Sequence, residues 1–210
     1  MNKRHVKISN FKDWSATFVK LRWKIFFALI FLAVSLIIYY NIGNYLDQHE
    51  GPIAHDILLD RIPFLDMGWL FVVSIFFFIG LLVLYPLLFR LDDFPYILNQ
   101  LAFMVLVRNF FMVLTPLSIG SDYSVTFPSI VQHLNFRNDL FFSGHVVIPL
   151  IGFLAFKDNK TIKSIFFFGI FLMAAVVLFT HMHYSVDVFA GLFIGYGCFK
   201  MVQWAWIKNS

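Results

Sequence analysis

WLFVVSIFFFIGLLVLYPLLF, residues 69–89, runs for 21 positions without a charged side chain. At about 1.5 Å of rise per residue, a helix of that length crosses the ~30 Å hydrocarbon layer of a bilayer. Lipid offers no hydrogen bonds to a peptide backbone, so such a run must pair its own amides as a helix. Outward from it, further apolar runs cover 26–46, 96–117, 141–156, 162–180 and 184–207. The 210 residues are 60% hydrophobic and 13% charged, where soluble chains carry about 25% charge. The sequence therefore predicts an all-α, polytopic membrane protein with six transmembrane helices. A basic lead, 1–23, precedes a single transmembrane domain, 24–210. The run 141–156 is the shortest; Leu140 can extend it at one end and Lys157 can snorkel at the other.

Orientation follows from the basic residues, which are enriched in cytoplasmic segments. The lead contains Lys3, Arg4, Lys7, Lys12, Lys20 and Arg22, with Lys24 just after it, against Asp13 alone. With that end inside, six spans place all but Arg61, Arg108 and Arg137 of the sixteen Lys and Arg residues in the cytoplasm. Both termini are then cytoplasmic, and the loops 47–68 and 118–140 face the exterior, periplasm or lumen. The net charge of +4 reflects this topology and contact with anionic lipid, not nucleic-acid binding. The aromatic residues of the lead suit an amphipathic or irregular segment at the membrane surface. Cys198, the only cysteine, excludes an intramolecular disulfide. Gly191 and Gly195 form a small-xxx-small pair suited to tight helix packing.

An ionisable residue within a span costs about 2.5–3.5 kcal/mol on insertion scales, so each needs a partner or a function. Arg108 falls inside the third run, His145 just inside the fourth, and His183 and Asp187 open the sixth. His183 and Asp187 are four apart, on one helical face, where a carboxylate can hold an imidazole in one tautomer and stabilise its charged form. A self-neutralising pair or two ligands of a metal would read the same way. Ser143-Gly144 precedes His145, a small turn whose amides can approach an anion at a helix start. Arg108 alone could simply pair with Asp139 or Asp187. Taken together, two histidines, an orienting carboxylate, a helix N-terminus and a buried arginine at one depth suit phosphoryl chemistry on a lipid headgroup. There is no Walker loop, His-Glu-x-x-His or Gly-x-Ser-x-Gly motif.

Asn138-Asp139-Leu140-Phe141-Phe142-Ser143-Gly144-His145 and His181-Met182-His183-Tyr184-Ser185-Val186-Asp187 resemble the two catalytic motifs of the sphingomyelin synthases. These enzymes are a branch of the type 2 phosphatidic acid phosphatase (PAP2) superfamily. Arg108-Asn109-Phe110-Phe111 with Thr115-Pro116-Leu117 is similar to the branch's third-helix motif. The loop from Pro52 to Pro63, with Asp56 and Asp60, is similar to its first exterior loop. Phosphatases of the superfamily carry a Lys, an Arg-Pro pair and an Arg six residues before the last catalytic His. Here there is no Arg-Pro, and Val177 holds the last place.

The resemblance implies transfer of a phosphocholine or phosphoethanolamine headgroup from a phospholipid donor to a lipid alcohol such as ceramide. His183 would be the nucleophile, Asp187 its orienting acid and His145 the acid and base. Arg108, Asp139, Ser143, Gly144 and Tyr184 would bind substrate; neither metal nor cofactor is implied. Hydrolysis by a lipid phosphatase or phospholipase C-type route, and a non-catalytic lipid-binding or transport protein, are the alternatives. A choline headgroup would suit an aromatic cage, with Tyr123, Phe127 and Phe136 as its candidates.

Overall fold

The computed structural model describes residues 11–49, 51–119, 125–127, 138 and 140–208. Local chemistry explains where its six helices start and stop. Asp66 accepts the Gly68 amide at 3.2 Å and opens α2, Gly68–Phe89. Pro116 keeps Thr115 out of helical conformation (φ −131°, ψ 68°), so α3, Phe94–Leu114, stops just before it. The Asn159 side chain accepts the Ile162 amide and caps α5, Lys160–Phe179. The others are α1, Phe11–Gln48, α4, Gly144–Ala155, and α6, Ser185–Lys208. Among the described residues the only strand-like pairing is an isolated bridge, Ile53 to Ser118.

Five helices are long and apolar enough to cross a membrane, and α4 is the exception. The expected span 141–156 is reduced to 12 helical residues, about 18 Å at the usual rise. The missing part is a buried, non-helical approach. Leu140, Phe142 and Ser143 are all buried, and Phe141 and Phe142 have φ of 62° and 27°, sparsely populated for residues with a side chain. Irregular backbone is tolerated at membrane depth where protein surrounds it, and protein surrounds α4 closely. Every residue from Val146 to Gly152 is buried, within a core that includes Phe78, Leu82, Met104, Ile151 and Phe166.

Close approach of α6 to α4 depends on the two glycines. A Cβ on Gly195 would meet Val147 Cγ1 at 2.8 Å, and one on Gly191 would meet the Ser143 carbonyl oxygen at 3.0 Å. At its other end the first helix is longer than expected. Residues 11–23 continue α1, whose 38 residues extend about 57 Å. Trp14 Nε1 donates to the Leu87 carbonyl at 2.9 Å. Leu21, Ile25 and Ala28 pack with Leu91, Phe94 and Leu98 at the α2–α3 connection. Lys24 Nζ lies 5.5 Å from the Trp206 ring, so the start of α1 and the end of α6 meet at one end of the bundle. Arg108, His145, His183 and Asp187 gather at the opposite end.

Candidate active site

α4 and α6 begin side by side there, tied by the Ser143 amide, which donates to the Asp187 carbonyl at 2.9 Å. Asp187 is in the first turn of α6, where the helix N-terminus favours a carboxylate. Its Oδ2 accepts the Tyr184 amide at 3.0 Å and faces His183 Nδ1 at 3.4 Å. On the far side of the same ring, His183 Nε2 faces His145 Nδ1 at 3.3 Å. The three side chains thus form one line: carboxylate, imidazole, imidazole. If Nδ1 of His183 donates to Asp187, Nε2 keeps its lone pair, and the proton between the rings belongs to His145. Contacts of 3.3–3.4 Å are long, as such contacts often are before substrate arrives.

Arg108 reaches this depth from α3, and its side chain is buried. Nε donates to the Phe142 carbonyl at 3.2 Å, and the guanidinium lies 5.6 Å from the Tyr39 ring centroid. Gly144 places no side chain between them: a Cβ there would stand 3.4 Å from Arg108 Nε. Asp187 Oδ1 and Ser143 Oγ are buried and meet no hydrogen-bond partner among the described residues, which at such a site suits a polar ligand. Left-handed backbone flanks both histidines, at Phe141–Phe142 before His145 and at His181 (φ 51°) before His183. Strained conformations of this kind persist only where surrounding structure fixes them, and they cluster at functional sites.

An aromatic wall closes one side. The Phe71 ring lies 4.4 Å from that of His145, and Phe127 packs edge-on against Phe71 at 5.8 Å. Tyr123 and Phe136, the other cage candidates, lie outside the described residues, as does Asp139. Tyr184 is committed elsewhere: its hydroxyl donates to the Ser118 carbonyl at 2.7 Å and accepts the Ala54 amide at 3.0 Å. Those bonds tie the loop after α1 to the segment after α3. His181 Nε2 likewise lies 2.9 Å from the Ile62 carbonyl, turned toward the first loop.

That loop is a strap across the start of α6, anchored by Asp56, which the sequence marks only as part of the motif-like stretch from Pro52 to Pro63 and not as a partner of α6. Asp56 accepts the Ser185 amide at 2.5 Å and the Ser185 hydroxyl at 2.9 Å, along with the amides of Leu58 and Leu59. Partial burial pushes its pKa up, but the bonds from Leu59, Ser185 and Leu58 outweigh this and hold it below the usual carboxylate range. The folded-state pKa being depressed, the strap's stabilisation is present above pH ~4 and is lost as pH falls through the lowered value. Asp56→Asn removes the charge from these bonds at neutral pH. We expect tryptic cleavage after exposed Arg61 to be faster by roughly tenfold, as charge-assisted bonds become neutral ones. Unchanged cleavage would show that the strap is held by other contacts.

Residues 138–205 match the family model described as PAP2 superfamily C-terminal. The stretch contains His145, His183 and Asp187 and begins after Arg108, and the match supports the superfamily likeness of the motifs. No curated protein and no solved structure shows significant similarity to the chain.

Proposed function

We propose that this multi-pass membrane protein is a lipid phosphotransferase that moves a phosphocholine or phosphoethanolamine headgroup to a lipid alcohol such as ceramide through a phosphohistidine. The observation that carries the reading is the line Asp187–His183–His145, with Arg108 packed against Gly144, the residue before His145. In the first step His183 Nε2 attacks phosphorus and an N–P bond forms. The P–O bond to diacylglycerol breaks with its electron pair on oxygen, which takes the proton of His145 Nδ1. In the second step the acceptor alcohol gives its proton to His145 as its oxygen bonds phosphorus, and the N–P bond breaks back to His183. Phosphorus fits on this line only if the two rings part, their facing nitrogens being 3.3 Å apart. Asp187 compensates the charge that the His183 ring carries when phosphorylated.

Charge favours a diester substrate over a monoester. A phosphate monoester approaches two negative charges near neutral pH, whereas a phosphodiester carries one. Arg108 supplies one fixed positive charge. Val177, where related phosphatases carry an arginine, is buried among apolar side chains of α4, α5 and α6. The family match alone suits either lipid phosphatase or phosphotransferase chemistry. The test is to supply purified protein with labelled phosphatidylcholine or phosphatidylethanolamine plus ceramide, and to identify every product. Diacylglycerol together with a headgroup-bearing sphingolipid is expected. Diacylglycerol with free phosphorylated headgroup would make the protein a hydrolase, and inertness toward all phospholipids would leave a lipid-binding protein.

We place this site on the exterior, periplasmic or lumenal side, with both termini cytoplasmic, because of the Lys and Arg distribution. In a Cys198→Ala background, a cysteine at position 49 should react with an impermeant thiol reagent on intact cells, and one at position 160 should not. The reverse pattern would invert the topology.

A further inference from the structure

At the end of the bundle away from the histidines, α1 and α6 both pack on α3 and leave a cavity of about 1090 Å³ between them. Its volume slightly exceeds the ~300–1,000 Å³ typical of small-molecule sites. Its wall combines two features. Phe27, Phe31 and Phe103 make it apolar along the direction of the helices, and Lys24 and Lys200 stand on opposite helices with Trp204 beside them. Among the described residues no Asp or Glu lines it. Lys24 Nζ rests over the Trp206 ring, and Lys200 Nζ donates to Gln203 Oε1 at 3.3 Å. Neither contact neutralises its ammonium.

We infer that this cleft is a binding site for one anionic phospholipid, its phosphate between Lys24 and Lys200 and an acyl chain along Phe27, Phe31 and Phe103. Charge complementarity selects this occupant. Lys24 and Lys200 both line one apolar cleft, with no carboxylate among its described lining residues, and Lys200 Nζ, now over the Tyr196 ring at 5.4 Å, sits on a flexible stem that can turn to an anionic headgroup. A zwitterionic lipid brings its own cation and gains much less. Ordinary lipid solvation of a helix surface would show no headgroup preference, so selectivity separates a built site from the surrounding bilayer. Lys200 is thirteen residues beyond Asp187 on α6, about 20 Å along the axis, so the cleft is distinct from the histidine site.

The experiment uses full-length protein carrying His183→Ala, so that no turnover consumes the probe. Native mass spectrometry from detergent counts phospholipid adducts after exposure to equal amounts of phosphatidylglycerol and phosphatidylcholine with matched acyl chains. We expect one phosphatidylglycerol to be retained over phosphatidylcholine by about tenfold or more, the scale that two lysines give toward an anionic lipid. Lys24→Gln with Lys200→Gln should abolish the preference, and Lys24→Arg with Lys200→Arg should keep it. Lipid held at the histidine site would not respond to either pair of substitutions. Should the double Gln variant fail to fold, each single substitution should still weaken the preference. Equal retention of the two lipids, or a preference that survives loss of either lysine's charge, would overturn the proposal.

Discussion

On the proposed mechanism, replacing His183 with alanine should lower headgroup transfer by about 10⁴-fold or more, because without Nε2 no covalent route remains and only binding and charge stabilisation persist. The ring is almost wholly enclosed, at 2% exposure, so its removal leaves a small cavity. The folded fraction must therefore be measured beside the rate, by gel filtration and thermal midpoint. Asp187→Asn is the companion that keeps volume. It retains an acceptor for the Tyr184 amide, but not the charge that favours the Nδ1–H tautomer and the phosphorylated ring. We expect a loss of about 10³-fold with the fold intact. Mass spectrometry of acid-avoided, quenched samples should find a phosphoryl-headgroup adduct on the wild-type peptide containing His183 and none after His183→Ala. Wild-type rates in a correctly inserted His183→Ala protein would sink the mechanism.

The helices were legible because apolar length is a local property, and residues 69–89 state it without ambiguity. The exception is instructive. The run 141–156 is apolar enough to read as a span, yet its central part, Val146 to Gly152, is buried in protein, and hydropathy does not separate that environment from lipid. What marks the difference is Ser143-Gly144-His145 near the start of the run, where the backbone must bend into the bundle before α4 can begin. Histidine and aspartate stand out in an apolar chain because leaving them there is costly, so His145, His183 and Asp187 could be picked from the sequence. Their order in one line could be anticipated only for His183 and Asp187, by helical spacing. The Asp56–Ser185 anchor joins positions 129 apart, and the Tyr184 hydroxyl reaches Ala54 across 130. No periodicity encodes such pairings. The family resemblance implies a substrate contact for Tyr184, and nothing local in the sequence foretells that its hydroxyl bonds Ser118 and Ala54.

Arg108→Lys tests whether positive charge alone suffices at this depth. We expect turnover to fall by about 10²–10³-fold, the loss typical when one donor to a developing oxyanion is removed. Lysine keeps the charge but not the planar fork that can hold two phosphate oxygens, and its ammonium is a hydrated point charge. It would also lose the bond from Nε to the Phe142 carbonyl, which helps fix the bend before Ser143. A structural and a charge-stabilising role therefore both predict a slower enzyme, and rate alone does not separate them. Phosphorothioate donors do. Replacing one or the other non-bridging oxygen of the phosphodiester by sulfur gives two diastereomers, and a guanidinium aimed at one oxygen makes the enzyme prefer one of them. If Arg108 contacts those oxygens, Arg108→Lys should shrink the preference by about tenfold, since a single rotatable ammonium discriminates less than a fixed fork. If it only holds Phe142 and Tyr39 in place, both diastereomers should slow equally and the ratio should stay at the wild-type value. An unchanged ratio, with the rate reduced in step with the thermal midpoint, would assign Arg108 to the architecture of the α4 approach and leave stabilisation of the phosphoryl oxygens to His145 and the first amides of α4.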